Sequence, residues 1–155
     1  MCVLRVTGKQ LDVDRQLTSS GLTPCKVFRK GEPRDWRPDG KLYEASGFTV
    51  DVSRGSWSNL AEQVDDAVAF LMQHEAALGA LRSAPGVEDM RLDFPVNLRI
   101  DRETVMAQFD YFSPELVSLA GALGLGLEIS IYPVDLEELA RARERDSGRP
   151  SDTRA

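Results

Sequence analysis

The chain is expected to fold as an α+β two-layer sandwich, a mainly antiparallel sheet with helices on one face. Three observations point there. Alternate residues are apolar in three separate segments, as in strands with one dry and one wet side. Between them run segments with apolar residues at helical spacing and recognisable start and stop residues. A length of 155 residues is that of a single domain, enough to enclose one core without staples.

Taken in order, "VLRVTG" (3–8) is a short strand candidate. "LDVDRQLTSSG" supplies Asp12 as N-cap, Val13 and Leu17 on one helical face, and Gly21 as a stop. "CKVFRK" (25–30) is a second short strand candidate, and "GFTVDVS" a third strand with Phe48, Val50 and Val52 inward. The long helix "NLAEQVDDAVAFLMQHEAALGALRSAPG" opens on Asn59 with Glu62 three residues on, a capping-box spacing. Its apolar stripe is interrupted at Glu75, where a kink or restart is expected because a buried unpaired carboxylate is costly.

"EDMRLDFPVNLRID" alternates from Met90 to Ile100 and reads as one long strand. Pro95 within it cannot donate to a ladder, which places it at an edge or a bulge. "SPELVSLAGALG" is a helix with Ser113 as N-cap, Pro114 at its first position and Gly124 at its stop. "LGLEISIY" is a last strand with Leu125, Leu127, Ile129 and Ile131 inward. The first six elements have the ferredoxin-like β-α-β-β-α-β order, plus an extra helix and strand. Residues 1–135 form the domain; 136–155 are a helical extension and a polar tail expected to be disordered.

The bulk charge narrows function. The net charge is −6; residues 141–155 carry +2, leaving −8 on the rest. Nucleic acid and anionic membrane are therefore not expected partners. Cys2 and Cys25 form no disulfide framework and no metal spacing, which suits a cytoplasmic protein. No apolar run approaches the ~20 residues of a membrane span.

No catalytic constellation is visible. His74 is the only histidine and reads as a helix-flank residue, because a general base needs an orienting partner and a nucleophile. "GALGLG" ends a helix and enters a strand, the reverse of a phosphate-binding loop. Cys25 has Lys26, Arg29 and Lys30 near it in sequence, a setting that could activate a thiol. The sheet's wet face would show Arg5, Asp51, Arg91, Asp93, Arg99, Glu128, Ser130 and Tyr132. Its charges balance by cross-strand pairing, and with Tyr132 its one aromatic it does not suit base stacking on RNA.

One stretch stands out. Lys26, Arg29, Lys30, Arg34, Arg37 and Lys41 lie within sixteen residues against three acidic groups, with Trp36 among them. Trp and Arg are enriched at binding hot spots, and charge runs also serve simply as solvated surface.

The run of "LRVTG", "LDVDRQL", "GLTPCKVFRKGEPR", "SGFTVDVS", "LAEQVDDAVAFL" and "FSPELVSLAGALGLGLEISIY" resembles the bacterial family called domain of unknown function 4279, over about residues 3–132. The resemblance implies a small cytosolic domain and supplies no catalytic residues, cofactor or metal. The expectation is a non-catalytic protein-interaction domain, immunity-like within that class, whose acidic body is steered to a protein partner. The alternative is a small-molecule or anion-binding module using Arg29, Lys30, Arg34 and Trp36. Self-association is left open.

Overall fold

The computed structural model describes residues 1–34, 40–100 and 103–133. In chain order these form β1 (Val3–Gly8), α1 (Val13–Ser20), β2 (Lys26–Phe28), β3 (Ser46–Asp51), α2 (Leu60–Gln73), α3 (Glu75–Arg82), β4 (Asp89–Asn97), α4 (Pro114–Ala122) and β5 (Gly126–Tyr132). The fold is α+β, as the alternating segments predict. Its five strands make one sheet in the order β2-β3-β1-β4-β5. The first four pair antiparallel, with β3 between β2 and β1 and β1 between β3 and β4. Two βαβ units are thereby interleaved, the ferredoxin-like arrangement. β5 then joins β4 in parallel after α4, since parallel neighbours need a crossover.

The helix ends follow the local chemistry. The Asp12 carboxylate accepts from the Arg15 N–H, and Gly21 ends α1 in the left-handed region. The Asn59 side chain accepts from Glu62 N–H and donates back to its carboxylate. Ser113 caps α4 through the Leu116 N–H, with Pro114 inside the first turn. The long helix breaks at His74, so that Glu75 starts α3 on the exposed side.

The core follows from the register. Leu4 and Val6 of β1 pair with Val50 and Phe48 of β3 and with Leu92 and Met90 of β4. These residues join Leu60, Val64, Leu71, Leu78, Leu81 and Leu116 of the helices in one buried cluster. Each such large side chain taken out of water stabilises the fold by roughly 1.5–3 kcal/mol.

Two expectations are corrected and one, Pro95, holds only locally. The long strand ends at Asn97, and Leu98 and Ile100 are exposed rather than inward; Arg99, beyond the strand, leaves the sheet to pair with Asp110. Pro95 sits in an interior strand without a bulge, but β1 stops pairing at Asp93, so Pro95 is locally at an edge. Its carbonyl is taken instead by the buried Gln63 side chain. Third, Ile129 and Ile131 face the same side as Phe94 and Val96, yet Ile131 is 57% exposed. β5 is the outermost strand among the described residues, and an edge residue has neighbours on one side only.

Candidate ligand site

The second face of the sheet carries the outward residues of each strand. Val3, Arg5 and Thr7 stand beside Asp51, Thr49 and Gly47 on one side and Asp93, Arg91 and Asp89 on the other. At the β4–β5 end the charges are internally matched. Arg91 pairs with Asp89 at 2.7 Å and Glu128 at 3.4 Å, and Asp89 holds its guanidinium above the usual arginine range. Asp93 is only 2% exposed; it accepts from Arg5 of β1 and, at 2.6 Å, from Ser130 of β5. Three strands are thus tied through one buried carboxylate, which is tolerable because both its partners are present. Cross-strand pairing accounts for this part of the wet face, as the sequence suggested.

The β2–β3–β1 end is different. Phe28 of β2 lies opposite Gly47 of β3. A Cβ on Gly47 would sit 2.6 Å from the Phe28 ring and 2.5 Å from the Val6 carbonyl, so the glycine lets the ring lie against the sheet. The chain then leaves β2 and returns. Gly31 donates to the Tyr43 carbonyl, Tyr43 donates to Glu32, Arg34 donates to Lys41, and Pro33 bridges to Leu42. This ladder brings Tyr43 onto Phe28 as a stacked pair, centroids 4.5 Å apart. Arg34 lies over Tyr43 at 5.5 Å and Lys26 at 6.0 Å.

The result is a cavity of about 740 Å³, within the usual range for small-molecule sites. Its floor is Val3, Arg5, Thr7 and Thr49; its walls are Lys26, Phe28, Arg34, Tyr43, Glu44 and Ala45, with Tyr132 at the rim. The Arg34 Nε is buried and has no acceptor among the described residues. A buried donor left unpaired costs roughly 1–3 kcal/mol.

Of the predicted site residues, Arg29, Lys30 and Arg34 lie among the described residues and have different surroundings. Arg34 lines the cavity. Arg29 bonds Asp14 of α1 at 2.8 Å and lies near Glu32; Asp14 holds its guanidinium above the usual range. Lys30 is exposed, its backbone N–H bound to Ser46, and Trp36 lies outside the described residues. Phe28, Tyr43 and Thr49 were missed. Phe28 and Tyr43 also correct the expectation that Tyr132 is the face's one aromatic. The available signal was the outward phase of Phe28 beside Gly47; the return of Tyr43 is a long-range contact that no periodicity announces.

The thiols do not favour chemistry. Burial pushes the Cys2 thiol well up. Cys25 is exposed and contacts Thr49; partial burial, then Asp51, push it up against the opposing Thr49 hydrogen bond. The nearby basic residues do not activate it. His74 packs on Phe70, ring centroids 4.6 Å apart. Among the described residues no three His, Cys, Asp or Glu side chains gather to hold a metal, and no helix is long and apolar enough to cross a membrane.

Fold and cavity together define an α+β domain of interleaved βαβ units with a cationic, aromatic-walled hollow on the polar face of its sheet. The chain belongs to the family described as Domain of unknown function (DUF4279), whose profile matches residues 1–134. No curated protein and no solved structure matches the chain.

Proposed function

We propose that this domain is a small-molecule-binding module, working without turnover, with the hollow between β1, β2, β3 and the segments 29–34 and 40–45 as its site. The observation that carries the reading is a cavity of about 740 Å³ lined by Lys26, Arg34 and the stacked Phe28 and Tyr43 rings. Of the four residues singled out in the sequence, Arg34 is the one this reading uses; Arg29 and Lys30 serve as solvated surface. A thermal-shift screen of organic anions tests it. Compounds should raise the melting temperature of the wild type and fail to do so in Thr49→Trp, which fills the hollow. Shifts that persist in Thr49→Trp, or their absence across the screen, would count against the reading.

A second reading, a protein partner, is favoured by the segment before α4, where Met106 and Phe109 are 88% and 87% exposed. Tyr111, two residues on from Phe109, is 72% exposed as well, and apolar patches left in water mark contact sites. A partner recovered by the wild type and lost by Phe109→Ser would support it.

A further inference from the structure

We propose that two copies of this chain join edge to edge through β5, antiparallel about a two-fold axis at Ile129, so that their five-stranded sheets run on as one. This goes beyond the ligand reading and does not depend on it. The backbone, the side chains and the register of β5 carry it.

β5 ends the sheet among the described residues. Leu98 donates to the Tyr132 carbonyl, so Tyr132, and with it Ser130, Glu128 and Gly126, turn their backbone groups towards β4. Leu127, Ile129 and Ile131 turn theirs outward, because the direction alternates along a strand. Such an edge is ordinarily blunted by shortness, lysine, proline or a bulge. β2, at the other edge, is three residues long and carries Lys26. β5 runs for seven residues, GLEISIY, in unbroken register and with none of these devices.

Its side chains suit an apolar, neutral contact. Ile129 and Ile131 are 37% and 57% exposed, on the side of the sheet that carries Phe94 and Val96. The one charge, Glu128, is already matched by Arg91 at 3.4 Å, so pairing brings no uncompensated charge to the seam.

The register points to a second copy as the occupant. Antiparallel pairing sets outward-turned residues opposite one another. An axis at Glu128 would oppose two carboxylates, and like charges directly opposite are destabilising. An axis at Ile129 opposes Ile129 to itself, Leu127 to Ile131 and Glu128 to Ser130. It matches the strand to itself end to end, as an isologous contact requires, and closes about six backbone hydrogen bonds. At one bond per roughly 100–200 Å² the seam buries about 600–1,200 Å², the low end for specific interfaces and the range of a micromolar dimer.

Sedimentation velocity of the full chain from about 2 to 200 µM tests this, with a monomer–dimer midpoint expected in the micromolar range. Ile129→Lys sets two ammonium groups against each other at the axis and should weaken the dimer at least about tenfold. Ile131→Lys, at the more exposed position, gives the same readout with less disturbance of the fold. Oxidative cross-linking in a Cys25→Ser background reads the register. With Ile129→Cys the two Cα atoms stand about 5.5 Å apart, within disulfide reach; with Ile131→Cys they stand about 14 Å apart, outside it. Ile129→Cys should therefore give a disulfide dimer and Ile131→Cys should not. A chain that stays monomeric at about 200 µM, leaving the edge to residues 134–155 or to a foreign strand, would overturn the proposal. So would a dimer that both lysine variants leave intact, or one that Ile131→Cys cross-links as readily as Ile129→Cys.

Discussion

Replacing Asp93 with Asn tests the reasoning that joins stability to the site. Asp93 is buried and receives Arg5 from β1 and Ser130 from β5. A hydrogen bond to a charged group contributes roughly 1.5–3 kcal/mol when buried. Arg5 is half-exposed, so solvent screens its share to about 0.5–1 kcal/mol. The Ser130 bond adds about 1 kcal/mol, and Asn retains one acceptor oxygen. The expected loss for Asp93→Asn is about 1–2 kcal/mol. For a domain of this length that lowers the melting temperature by roughly 2–8 °C. Urea unfolding of wild type, Arg5→Gln, Asp93→Asn and the double variant measures the coupling, expected at about 0.5–1 kcal/mol. A variant as stable as the wild type, or strict additivity in the cycle, would refute the account of Asp93 as the tie across three strands.

Gly8 and Cys2 give two further outcomes. At Gly8 an added Cβ would lie 1.7 Å from the Gly86 carbonyl oxygen, a backbone atom that cannot swing aside; Gly8→Ala should cost roughly 1–3 kcal/mol, read as a lower urea midpoint, and a neutral result would mean the approach is not that close. Cys2 is protonated in the fold because burial raises its thiol above the ordinary 9.0. The unfolded chain loses that proton first, so the stabilisation is complete below pH 9 and falls as pH rises beyond it. The slope is at most about 1.4 kcal/mol per pH unit. Urea midpoints at pH 8 and pH 10 should fall more steeply in wild type than in Cys2→Ala; parallel slopes would contradict it.

The sequence by itself determined the element types, the helix ends and which strand face is dry. Those depend on neighbours within a few residues: Asp12 caps its own helix, Gly21 stops it, and alternation at Leu4, Phe48 and Leu92 needs only the pleat. The tertiary structure alone decided strand order, which strand is an edge, and where Arg34 and Tyr43 meet. Ile129 and Ile131 alternate as well as Leu92 and Phe94 do, but only the pairing order leaves them at the rim. Arg29 and Arg34 are alike in composition and close in sequence. Asp14, fifteen residues before Arg29 and on another element, takes that guanidinium, while Tyr43 returns across the loop to meet Arg34. Contacts between residues distant in sequence are set by packing of whole elements, and no local pattern encodes them.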